Sequence, residues 1–106
     1  MSAYMSCGLS CEIEPSNKKA PGIVEGKHFI AVIKNCSKSA DELGAEVVTQ
    51  LFRKALEFAR AECERDGVPG QYRIAMNGPQ VGTRSYLHIH IILPRGEDKL
   101  DTLVAR

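Results

Sequence analysis

Residues 86–92 read Tyr-Leu-His-Ile-His-Ile-Ile. Side chains on a β-strand point alternately to its two faces, so a strand here places Tyr86, His88 and His90 in one row. Ile92 ends that row, and the other face is apolar throughout. Successive members of the row lie about 6.5–7 Å apart at the usual strand rise. That spacing suits one extended ligand, such as a phosphate chain, that touches several of these side chains.

The residues alone leave three interpretations of His88 and His90 open. They form part of a ligand-binding row, they are partly exposed strand histidines without a role, or they bind a metal. A metal normally needs a third and often a fourth protein ligand, and the sequence offers no evident supplier. We therefore predict no metal site.

A second strand precedes this row and is predicted to pair with it. Residues 71–77 place Tyr72, Ile74 and Met76 on one face of a strand. Between the two strands, residues 78–83 contain two glycines and one proline, which suit a wide hairpin loop. The two strands should therefore be antiparallel neighbours.

The clearest helix lies in the middle of the chain. Residues 39–42 read Ser-Ala-Asp-Glu, a capping-box sequence that predicts a helix start. Gly67 can adopt the left-handed conformation of a helix cap and Pro69 cannot continue a helix, so one continuous helix should end near Asp66. Its buried stripe recurs every three or four positions and consists of Leu43, Val47, Val48, Leu51, Ala55, Leu56 and Ala59.

The remaining segments complete a single α+β domain over residues 1–106. Residues 28–33 are short, apolar and rich in β-branched side chains, which predicts a central strand covered on both faces. Residues 5–13 are a weaker strand candidate, residues 18–26 a loop, and residues 100–104 a short helix or a cover for the sheet. The predicted class is an antiparallel sheet packed against one long helix.

Charge and composition limit the classes of function. The formal net charge of +1 argues against the broad basic field that binds nucleic acid non-specifically. No apolar run approaches the roughly 18–20 residues that span a bilayer, which predicts no membrane association. The N-terminus has neither the basic start nor the long apolar block of a secretory signal. We therefore expect a cytoplasmic protein with reduced cysteines.

The row of histidines resembles the signature of the histidine triad (HIT) family of nucleotide-binding hydrolases and transferases. That signature is His-φ-His-φ-His-φ-φ with φ apolar, and this chain has Tyr86 at its first position. Upstream, residues 72–77 and a glycine-containing loop follow the family's order of strand, Asn, loop and triad. Ala20-Pro21 and residues 28–34, His-Phe-Ile-Ala-Val-Ile-Lys, are similar to further family segments. All three histidines of the chain fall on active-site positions of the family, and the resemblance covers residues 12–95.

The resemblance implies hydrolysis or transfer at the α-phosphate of a purine nucleotide conjugate, such as a nucleoside phosphoramidate or a dinucleoside polyphosphate. His88 would attack phosphorus and form a covalent nucleotidyl-histidine that water cleaves. His90 and His28 would donate to the phosphate oxygens. The backbone carbonyl of Tyr86 would orient the ring of His88. The resemblance also implies a HIT-like fold, no cofactor and a homodimer whose two sheets join.

Five further residues are nucleotide-binding candidates through the same resemblance. Residues 12–15, Glu-Ile-Glu-Pro, are similar to a stretch in which the acid, here Glu12, holds the ribose hydroxyls and the isoleucine, here Ile13, touches the base. Asn77 falls where the family contacts the ribose or phosphate. Thr83 falls where a serine bonds near the scissile phosphate, and Gly82 would let the loop backbone approach phosphate. Ordinary turn and surface roles remain open alternatives for these residues.

Two departures from the family pattern, Tyr86 at the first triad position and the short front segment, support a second function. Tyr86 cannot shuttle protons near neutral pH as an imidazole does, although it too counts as a nucleotide-binding candidate. The segment ahead of residue 12 is shorter than in the family. Cys7 and Cys11 are one residue too far apart for the zinc-binding Cys-x-x-Cys of some members. The alternative is a degenerate HIT-fold module that binds a nucleotide or a protein without turnover.

Overall fold

The computed structural model describes residues 2–4, 8–16, 27–81 and 85–93. The loop expected at residues 18–26 and the segment expected at residues 100–104 lie outside them. The elements found in the described residues are β1 (Ser2–Tyr4), β2 (Ser10–Pro15), β3 (Lys27–Ile33), α1 (Ala40–Leu43), α2 (Ala45–Arg65), β4 (Arg73–Met76) and β5 (His88–Leu93). The coarse α+β class predicted from the sequence is confirmed.

The strands form one sheet in the order β1-β2-β3-β5-β4, and every neighbouring pair is antiparallel. β3 is therefore central and β4 pairs with β5, as predicted. The weak candidate at residues 5–13 is confirmed in part, because residues 10–13 lie in β2, while residues 5–7 lie outside the described residues. β1, which the sequence did not predict, pairs with β2. Gly8 has a φ of 86°, a conformation that favours glycine.

The capping box forms as predicted. The Ser39 hydroxyl accepts a hydrogen bond from the Glu42 amide at 3.2 Å, and the Glu42 carboxylate accepts one from the Ser39 amide at 3.0 Å. The single continuous helix is wrong, because Gly44 has a φ of 89° and separates α1 from α2. Gly67, with a φ of 74°, follows the Asp66 cap at the end of α2, where the sequence places it.

One face of the sheet packs on α2. Phe29 of β3 meets Phe58 of α2 edge to face, with ring centroids 5.0 Å apart. The fully buried side chains of α2 are Leu51, Ala55, Ala59 and Cys63, and those of the sheet include Ala31, Ile33, Ile89, Ile91 and Leu93. The opposite face of β3 carries His28, Ile30 and Val32, of which Ile30 is buried. In the part of the chain that the structure describes, neither helix is long and apolar enough to cross a membrane.

Candidate active site

His88 is held in one orientation by the backbone just ahead of it. Its Nδ1 lies 2.9 Å from the carbonyl oxygen of Tyr86. A carbonyl oxygen only accepts hydrogen bonds, so Nδ1 carries the proton and donates it. The neutral ring then has its lone pair on Nε2, the other ring nitrogen. The side chain is only 9% exposed, and its tautomer is fixed by this one bond.

The Tyr86 carbonyl is itself anchored to another part of the chain. The amide of Leu87, which belongs to the same peptide group, donates to the carbonyl of Lys38 at 2.9 Å. Lys38 immediately precedes the Ser39 cap of α1. This bond connects the segment that orients His88 to the segment that begins the helical layer.

His28 and His90 form a hydrogen-bonded pair across β3 and β5. Nε2 of His28 lies 2.8 Å from Nδ1 of His90, and the rings stack with centroids 5.1 Å apart and an interplanar angle of 27°. The register explains the contact, because His90 pairs with Ile30 while His28 is two residues away on the same face. All three histidines therefore lie on the face opposite α2.

The short contact allows one proton between the two facing nitrogens. In the neutral pair, one ring donates to the other, and only one of the two outer nitrogens then carries a proton. Both outer nitrogens are donors only when the pair holds one additional proton and a charge of +1. The pair is thus a unit that becomes a double donor by taking up a single proton.

The predicted row of three side chains is present. The rings of Tyr86 and His88 have centroids 5.3 Å apart, and those of His88 and His90 are 4.9 Å apart. These distances are shorter than the strand spacing because the rings lean toward one another. β5 begins only at His88, so Tyr86 joins the row from the residues that lead into the strand.

Glu12 and Ile13 are adjacent on β2, and the structure separates them. Glu12 pairs with Val32, which pairs with His88, so Glu12 lies on the histidine face two strands away. Ile13 pairs with Ala31, is 7% exposed and belongs to the core under α2. The expectation that Ile13 touches a bound base is therefore corrected, because neighbouring residues of a strand point to opposite faces.

Asn77 lies near the end of β4 that faces the start of β5. Met76 pairs with Ile89, and the exposed Asn77 follows it beside the start of β5. Gly82 and Thr83 fall outside the described residues. Sequence reasoning did not select Arg73, which pairs with Ile92 and so lies on the histidine face. The sequence did contain the signal for Arg73, because residues 73, 75 and 77 lie on the face of this strand opposite its apolar face.

Cys11 and Cys63 do not belong to this site. Cys11 and Cys63 are buried in the core under α2, and burial raises the pKa of both thiols. Cys11, Cys36 and Cys63 are free thiols, and Cys7 lies outside the described residues. Among the residues that the structure covers, no three His, Cys, Asp or Glu side chains are grouped as a metal ion requires.

No family model, curated protein or solved structure matches this chain. A proposal about function therefore depends on the residue motif and on the geometry of the three histidines.

Proposed function

We propose that the protein is a HIT-type hydrolase or transferase that acts at the α-phosphate of a purine nucleotide conjugate. The observation that carries this proposal is the hydrogen bond from His88 Nδ1 to the Tyr86 carbonyl at 2.9 Å. It leaves the Nε2 lone pair of His88 as the nucleophile in a row of polar side chains.

The reaction proceeds in two steps. Nε2 of His88 attacks phosphorus, a nitrogen–phosphorus bond forms, and the leaving group departs with the bonding electron pair. Water then attacks the nucleotidyl-histidine, releases a nucleoside monophosphate and restores His88. A transferase uses another acceptor in place of water.

The His28–His90 pair supplies charge and protons. In its singly protonated form both outer nitrogens donate, which matches the oxygens of a phosphate as negative charge develops. His90 lies beside the proposed nucleophile, with its ring centroid 4.9 Å from that of His88. Glu12 and Asn77 are proposed to contact the sugar, with Thr83 and Gly82 near the phosphate.

The alternative is a binding module of the same fold without turnover. The replacement of the first triad histidine by Tyr86 favours it, because a phenol does not shuttle protons near neutral pH as an imidazole does. For either function we propose a homodimer whose two sheets join, as the resemblance implies; β4 is an outer strand of the described sheet. Sedimentation at several protein concentrations tests the dimer.

Hydrolysis of an adenosine phosphoramidate by the purified protein tests the enzyme. We expect turnover, and His88→Ala should lower it by at least about a thousandfold, as loss of a nucleophile does. Arg60→Gln, on the exposed surface of α2, is the matched control and should keep the wild-type rate. Mass spectrometry of alkaline samples should detect the nucleotidyl adduct on wild type and not on His88→Ala.

The two functions give different results. Turnover that His88→Ala retains would contradict the proposed nucleophile. Nucleotide binding without turnover in wild type would favour the binding module. Absence of both would overturn the nucleotide site itself.

A further inference from the structure

Arg73 places a cation on the same face of the sheet as the histidines. It is the first residue of β4 and pairs with Ile92, which in turn pairs with His28. Paired residues of antiparallel strands point to the same face. The side chain is half-buried, so its position is more restricted than that of a fully exposed arginine.

Arg73 is a diagonal neighbour of His90. The direct partner of His90 is Ala75, two residues along β4 from Arg73. Diagonal neighbours of this kind lie about 7–8 Å apart, within reach of long side chains. Along the face, the order is His88, then His90, then Arg73. A phosphate held by His88 and His90 therefore has Arg73 on the side away from the nucleophile.

Acidic residues lie on the opposite side of the histidines. Glu12 is two strands from His88 through Val32, and Glu14 is two strands from His90 through Ile30. Carboxylates accept hydrogen bonds from hydroxyl groups and repel anions, whereas a guanidinium binds anions in a fixed fork. The face thus has an acidic side suited to a sugar and a cationic side suited to a second anionic group.

We infer that Arg73 binds the anionic group that follows the α-phosphate in the substrate. This inference rests on the proposed function and names its preferred substrate class: nucleotide conjugates whose leaving group begins with a second phosphate are favoured over conjugates whose leaving group is a neutral amine. An in-line displacement puts the leaving group opposite the attacking nitrogen, which is the side of the site on which Arg73 lies.

Among the described residues, Lys34 is a competing cation. It follows β3 directly, its amide donates to the Ser10 carbonyl at 2.8 Å, and its side chain is exposed in a turn. It lies beyond Val32, the partner of His88, and so at the nucleophile end of the row. The geometry of displacement favours Arg73 over Lys34 for the leaving group.

Calorimetric titration with AMP and with ADP tests the inference, because ADP adds one phosphate at the leaving-group position. We expect wild type to bind ADP more tightly than AMP. Arg73→Gln should lower the ratio of ADP affinity to AMP affinity by about tenfold or more, the size of a charge-assisted contact. Arg73→Lys should retain part of the ratio, and Arg60→Gln should leave it unchanged.

A general loss of structure in Arg73→Gln would weaken both nucleotides together and leave their ratio unchanged. The inference is overturned if the ratio survives Arg73→Gln, or if Lys34→Gln lowers it instead. If wild type binds neither nucleotide, the proposed function fails and this inference fails with it. If both bind but no conjugate is turned over, the enzyme fails while the affinity ratio still decides the role of Arg73.

Discussion

The two faces of the sheet use the same strands for different tasks. On β5, Ile89 and Ile91 point to α2 and are completely buried, whereas His88 and His90 point the other way and contact other ring or backbone groups. On β3, Ala31 is fully buried under the helix while His28 is half-buried on the opposite face. The period of two residues therefore assigns stability and chemistry to alternate positions of one strand.

This difference between the two faces predicts whether a substitution lowers stability or changes binding and rate. Side chains of the α2 face contribute through apolar burial and close packing, so their loss destabilises the fold. On the histidine face, Ile30 and Ile92 are also buried, whereas the histidines contribute through hydrogen bonds at particular ring nitrogen atoms. Their replacement is expected to change binding and rate while most of the core remains.

Ile89→Ala should have the largest effect on stability. Ile89 is 0% exposed, and removal of a buried isoleucine side chain to the β-carbon costs about 2–5 kcal/mol through lost burial and a cavity. Urea unfolding followed by circular dichroism measures the change. Ile89→Val, which removes one methylene, should cost only about 0.5–1.5 kcal/mol. Equal stability of Ile89→Ala and wild type would contradict the prediction that side chains of the α2 face stabilise the fold.

Tyr86→His is expected to act on rate and not on stability. The substitution keeps the backbone carbonyl that accepts from His88 at 2.9 Å and restores an imidazole beside that ring. One charge-assisted contact is worth about 1.5–3 kcal/mol, so the rate of phosphoramidate hydrolysis should rise by about ten- to a hundredfold. Tyr86→Phe separates the contribution of the hydroxyl. A rate in Tyr86→His at or below that of wild type would mean that the tyrosine is matched to a different ligand.

Ser39→Ala tests how much the capping box of α1 stabilises the fold. Loss of the cap should lower the free energy of unfolding by about 1 kcal/mol, because the Glu42 amide loses the hydroxyl that it donates to at 3.2 Å. Ser37→Ala, at an exposed position two residues earlier, is the matched control. Thermal unfolding of both variants gives the comparison, and an equal midpoint for the two would contradict a stabilising cap.

Short-range signals made part of the fold predictable. The capping box lies within four consecutive residues, so the sequence contains everything that starts α1 at Ser39. The interruption at Gly44 was not predictable in the same way. Glycine is tolerated inside a helical pattern and also permits a φ of 89°, and only the packing of the whole chain selects between these two outcomes.

The alternation of side chains along a strand predicts part of the candidate site. Glu12 and Ile13 are adjacent on one strand and cannot both face a ligand, a conclusion available from the period of two alone. Arg73 follows from the same rule. The contact between His28 and His90 joins residues 62 positions apart, and it depends on the register of β3 with β5, which no local pattern of residues specifies.

Asp66→Asn should have the smallest effect, and one that depends on pH. Lys27 Nζ lies 2.9 Å from the Asp66 carboxylate and joins the start of β3 to the end of α2. The hydrogen bond from Lys27 is the main cause that lowers the pKa of Asp66. A lowered pKa in the folded state means that the ionised carboxylate stabilises the fold above the unfolded pKa of about 3.9 and loses this effect as pH falls through the lowered value.

Both side chains are partly exposed, so the effect at neutral pH should be small and should decrease with added salt. Urea unfolding of wild type and Asp66→Asn at pH 7 and at pH 3 measures it, with a smaller difference expected at pH 3. A difference that grows on acidification would show that Asp66 acts through something other than its charge.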